Sequence, residues 1–85
     1  MDFELSKHAQ EELQKRRIPL QVLQFILNRP SQIIEEQDFT IYQGLFISHN
    51  KKRYLLRVFV NTTLQPPKVI TVYKTSNISK YWRES

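Results

Sequence analysis

Cysteine is absent from this 85-residue chain, which excludes a disulfide framework and a thiolate metal site, and leaves the separated His8 and His49 as poor material for a metal centre. No metal and no cofactor is therefore expected, and the core must hold by packing. Glycine occurs once, at Gly44, so no Gly-rich loop is available to cradle a phosphate. Long apolar runs are lacking too. No stretch approaches a bilayer span, and Met1-Asp2-Phe3-Glu4 has no basic region leading into an apolar segment. These absences point to a soluble, cytoplasmic protein without a membrane partner, in which the sequons Asn61-Thr62-Thr63 and Asn77-Ile78-Ser79 are coincidental. The last lack concerns charge of one sign. Between Phe39 and Arg83 there is no carboxylate side chain, while Lys51, Lys52, Arg53, Arg57, Lys68, Lys74, Lys80 and Arg83 are all cationic.

The net charge of +5 is thus concentrated in the second half, because Asp2, Glu4, Glu11, Glu12, Glu35, Glu36 and Asp38 all precede Phe39. A one-sign surface attracts nucleic acid, an acidic protein or an anionic membrane. Eighty-five residues suit one domain with a single small core, spanning 1–85.

Two runs dominate that basic half. Lys51–Asn61 and, after Pro66-Pro67, Lys68–Thr75 are rich in Val, Ile, Tyr, Thr and Phe, and predict adjacent antiparallel strands. A period of two places Tyr54, Leu56, Val58 and Val60 toward the core and Arg53, Leu55, Arg57 and Phe59 on the opposite face. The same alternation in the second run sends Ile70 and Val72 inward, with Lys74 at the strand end, and sets Thr71 and Tyr73 beside the arginines. Arg53, Arg57, Thr71 and Tyr73 would then form a face suited to phosphate.

The remaining order reads as a short strand with Phe3 and Leu5, a helix over Lys7–Arg17 capped by Ser6, and a second, mostly buried helix opened by Pro19 and ended by Asn28-Arg29-Pro30. Gln32–Glu35 and Phe39–Ser48 follow as strands, with Glu36-Gln37-Asp38 and His49–Lys52 as turns and Gly44 as a bulge. In Phe39–Ser48, Phe39, Ile41 and Ile47 share one side and Tyr42 and Phe46 the other. Ile78, Tyr81 and Trp82 anchor the tail. The expected class is α+β, with two N-terminal helices packed on one face of a small, mainly antiparallel sheet.

His8-Ala9, Leu13, Arg16 and Ile18, the apolar second helix ending at Asn28-Arg29-Pro30, Val69-Ile70-Thr71-Val72-Tyr73, and the closing Tyr81-Trp82 together carry a resemblance. In order and spacing, from Leu5 to Trp82, they resemble a bacterial domain family of unknown function, itself a distant relative of the RelE/ParE-like toxins. Glu12 stands where that pattern commonly has arginine, and Arg17 where it has glycine. The resemblance implies a RelE-like fold and the toxin of a toxin–antitoxin pair. RelE-type members cut messenger RNA on the ribosome, ParE-type members act on DNA gyrase, and an acidic antitoxin protein neutralises either.

Metal-independent RNA cleavage needs a base for the ribose 2′-hydroxyl, cationic donors for the phosphate and an acid for the leaving oxygen. Arg57 suits the phosphate and Arg53 the backbone, since a guanidinium fork matches phosphate geometry. His8 or Tyr73 would move protons. Arg16, Lys52, Lys74, Lys80 and Arg83 would hold RNA, with Tyr81 and Trp82 among them able to stack on unpaired bases. The other readings are a non-catalytic module of the same fold that binds an acidic protein or a nucleic acid, and a ParE-like gyrase inhibitor.

Overall fold

The computed structural model describes residues 2–84, so Met1 and Ser85 of the expected domain lie outside the described residues. The chain is α+β, with strands β1 (Glu4–Leu5), β2 (Gln32–Glu35), β3 (Thr40–Ile47), β4 (Arg53–Asn61) and β5 (Lys68–Thr75) and helices α1 (Lys7–Lys15), α2 (Leu20–Asn28) and α3 (Ile78–Tyr81). The five strands form one sheet in the order β1-β5-β4-β3-β2. β1 pairs parallel with β5, and every other pair is antiparallel. The sheet is therefore mixed, and the described residues form three helices rather than the two expected.

Ser6 caps α1, accepting a hydrogen bond from the Ala9 N–H at 2.9 Å and donating its own hydroxyl to the Ile70 carbonyl at 2.7 Å. The helix stops at Lys15, short of the expected Arg17, because Arg17 adopts φ 54. The Arg17 N–H then bonds the Gln14 carbonyl and the Ile18 N–H the Leu13 carbonyl. That pair of bonds is the Schellman C-cap, whose left-handed position glycine usually occupies. Buried Ile18 covers buried Leu13 across the cap.

α1 and α2 pack on one sheet face, where Ala9, Leu13, Leu23, Ile26 and Leu27 join Leu56, Val58, Val60, Val69 and Val72 in one cluster. Tyr42 and Phe46 pack against it, as the alternation of β3 requires. α2 is less buried than expected: Leu20 and Phe25 stand 47% and 60% exposed, because the helix has the sheet on one side only.

Two expectations about irregularities are corrected. β3 and β4 run in register from Thr40↔Val60 to Ile47↔Arg53, so Gly44 makes no bulge. Its lack of a side chain lets α2 approach: a Cβ there would sit 3.1 Å from Ile26 Cγ1. The bulge lies instead in β5, where Val60 pairs with Val69 but Phe59 with Thr71, leaving Ile70 as the extra residue. Ile70 therefore turns outward, 39% exposed, and Val69 takes the core position assigned to it.

The opposite face carries Arg53, Leu55, Arg57 and Phe59, as the period of two requires. It is not an open surface, since Leu55 is fully buried. The tail covers it: Gln32 Nε2 donates to the Arg83 carbonyl at 2.6 Å, and the Arg83 N–H returns a bond to Gln32 Oε1 at 3.0 Å. Among the described residues, no helix is long and apolar enough to cross a membrane.

Candidate functional site

Arg57 and Tyr73 are direct cross-strand partners on β4 and β5, so the antiparallel register alone puts a guanidinium beside a phenol. α3 adds Tyr81, whose ring lies under the Arg57 guanidinium at 4.6 Å and meets the Tyr73 ring edge-on at 5.6 Å. Phe59 flanks the same guanidinium at 5.5 Å. Cation–π contacts on two rings leave the charge in place while fixing the plane that carries it.

Beneath this group lies Gln43, fully buried. Its Oε1 accepts from Arg57 Nε at 3.0 Å, and its Nε2 donates to Gln32 Oε1 at 2.8 Å and to the Tyr81 carbonyl at 3.1 Å. One amide thus joins β2, β3, β4 and the tail. The bond spends Nε and leaves the two Nη groups of Arg57, the ends of the fork that match phosphate oxygens. Among the described residues no carboxylate is within ion-pair distance of Arg57, the two salt bridges being Arg16–Glu12 and Arg83–Glu36.

The environment perturbs two ionisations. Burial lowers the Arg57 pKa from its ordinary value, opposed in part by the Tyr81 phenol. The Tyr81 phenol is lowered from its ordinary 10.0, first by hydrogen bonding from Tyr73 and then by the positive charges of Lys80 and Arg57. A phenol that ionises more easily, a second phenol beside it and an immobilised guanidinium are an acid–base pair next to an anion donor.

The other residues assigned from the sequence divide between the two faces. Arg53 shares the face of Arg57, four residues away along β4, and lines a cavity with Trp82. Lys80 lies over the Tyr81 ring at 5.4 Å, and Arg83 is exposed, 3.8 Å from Glu36. Lys74 and Lys52 lie on the helix side, with their ammonium groups 4.5 Å and 5.7 Å from the Tyr54 ring. Lys74 Nζ also donates to the carbonyl of Arg16, whose own side chain pairs with Glu12 at 3.5 Å. His8 is exposed on α1, and the sheet stands between it and Arg57. The structure brings Arg57, Tyr73, Tyr81 and Lys80 together, and does not bring His8, Arg16, Lys52 or Lys74 to them.

Gln43 was not singled out from the sequence. Its signal was there, as a lone polar residue in the alternation Ile41, Gln43, Leu45, Ile47. Among the described residues, no three His, Cys, Asp or Glu side chains gather as metal ligands.

A family model described as "Domain of unknown function (DUF4258)" matches residues 5–74. No curated protein and no solved structure matches.

Proposed function

This chain belongs to the DUF4258 domain-of-unknown-function family, and from that premise we propose that it is a metal-independent endoribonuclease acting on messenger RNA, the toxin of a toxin–antitoxin pair. The observation that carries the reading is the Arg57 guanidinium, held by Gln43 and Tyr81, free of any carboxylate within ion-pair distance among the described residues, with Tyr73 and Tyr81 adjoining it. In the reaction, the 2′ oxygen attacks phosphorus and the bond to the 5′ oxygen breaks. The Tyr81 phenolate takes the 2′ proton, Tyr73 supplies a proton to the departing 5′ oxygen, and the Arg57 Nη groups hold the non-bridging oxygens. The products are a 2′,3′-cyclic phosphate and a 5′-hydroxyl. His8 has no part in this scheme, because the sheet separates it from the other groups.

A second reading, the non-catalytic binding module, is favoured by a specific feature: Arg57 also docks the tail, its guanidinium lying on the Tyr81 ring and its Nε on the Gln43 amide that donates to the Tyr81 carbonyl. Mapping new 5′ ends on messenger RNA after brief induced expression in a bacterial host separates the two. Cuts at defined positions that vanish in Arg57→Ala and weaken in Tyr73→Phe support the ribonuclease. Intact messages despite full expression support the module.

A further inference from the structure

Beyond Leu55 from Arg57, on the same sheet face, a cavity of about 330 Å³ opens between the sheet and α3, lined by Leu45, Arg53, Ile78, Ser79, Trp82 and Glu84. We propose that this cavity holds an unpaired nucleobase bearing an exocyclic amino group, on the same RNA strand whose phosphate lies at Arg57; the inference rests on the ribonuclease reading above.

The lining divides by chemistry. Leu45, Ile78 and the Trp82 indole offer apolar surface to a flat ring, and base–aromatic stacking is tolerant of sequence. Arg53 and Glu84 supply opposite charges to the same cavity, yet neither has an ion-pair partner among the described residues. They are therefore available for a ligand that carries both an anion and a hydrogen-bond donor, and a nucleotide carries both. Its phosphate suits Arg53, while a carboxylate repels phosphate and accepts hydrogen bonds only, so Glu84 suits an amino edge. Glu84 is the only carboxylate side chain after Asp38, and it lies in this cavity rather than on the cationic surface around it. Adenine, cytosine and guanine present an exocyclic amino group; uracil carries carbonyl oxygens in its place, which the Glu84 carboxylate repels, and is disfavoured. Arg53 and Arg57 lie four residues apart on one strand, roughly 13 Å, so one extended strand of RNA reaches both.

Trp82 is the only tryptophan, so its emission reports this cavity alone. The full chain is titrated with end-labelled, non-cleavable 2′-O-methyl oligonucleotides of adenosine, cytidine or uridine and with an abasic strand of equal length. Binding is read by anisotropy of the label, and stacking by Trp82 fluorescence. The adenosine and cytidine strands are expected to quench Trp82, and the uridine strand to bind about fivefold more weakly, the worth of one hydrogen bond. Glu84→Gln should bring uridine to within about twofold of cytidine, since an amide can donate as well as accept. Binding without any change in Trp82 emission, or equal quenching by the abasic strand, overturns the base site and leaves the Arg57 reading standing. Absence of binding by anisotropy overturns both.

Discussion

A guanidinium at the surface of a strand ordinarily samples several rotamers in water, and fixing it costs side-chain entropy of about 2 kcal/mol. For Arg57 that cost is met within the fold, by the Gln43 amide and by the Tyr81 and Phe59 rings. A phosphate arriving there finds donors already oriented, which is what preorganised electrostatic stabilisation requires. The companion tyrosine offers a direct check. Because the folded Tyr81 phenol ionises below its ordinary 10.0, titration followed by phenolate absorbance should show one tyrosine ionising early, and Tyr73→Phe should move it upward. The sign for stability follows from the lowered value: the phenolate's contacts stabilise the fold above the ordinary tyrosine pKa, and that contribution is lost as pH falls through the lowered one. Arg17 is a second residue whose conformation predicts a measurement. Its φ of 54 is one that L side chains adopt at a cost and glycine does not. Arg17→Gly should stabilise the protein by about 1 kcal/mol, read as a rise in melting temperature; an unchanged or lower midpoint would contradict the strain.

At the level of elements, alternation in β4 was legible because Tyr54 to Val60 runs without a break, and the structure places each of those residues on the face it assigns. β5 was legible only from Thr71 onward. Its bulge at Ile70 carries no glycine or proline to announce it, and one unpaired residue reverses the parity of everything before it. The glycine that did invite a bulge, Gly44, is needed for a different reason, the approach of Ile26 from α2. Gly44→Ala is therefore expected to destabilise by about 1–3 kcal/mol through overpacking. Combined with Ile26→Ala, it should cost less than the sum of the two single changes, by at least about 0.5 kcal/mol; strict additivity in denaturant melts would show that the two do not touch. The tail was legible as anchored through Ile78, Tyr81 and Trp82, but which face it covers depends on Gln32 and Gln43, polar residues whose partners lie 51 and 38 positions away in sequence. No local pattern encodes such a pairing. The expected cationic face consequently became a partly covered site, with Tyr81 at its centre.

For the molecule as a whole, the sheet has a helix-covered face and a tail-covered face, and the basic residues of the second half are shared between them. Lys52 and Lys74 flank Tyr54 on the first, while Arg53, Arg57 and Lys80 mark the second. Cationic side chains thus stand on both faces, and their attraction for an anion weakens as salt rises. The Tyr73–Tyr81 pair and the Arg57 guanidinium lie on the second face. The family match ends at residue 74, so it takes in Arg57 and Tyr73 but not Tyr81, the residue that completes the group. The most direct test of this account is to incubate the purified chain with a messenger RNA in the presence of a metal chelator and to identify the chemistry of any new ends. The account predicts 2′,3′-cyclic phosphate and 5′-hydroxyl ends, formed at a rate that falls by about 100-fold or more in a folded Arg57→Ala variant. RNA left intact by the folded protein, or cut equally well without Arg57, would contradict it.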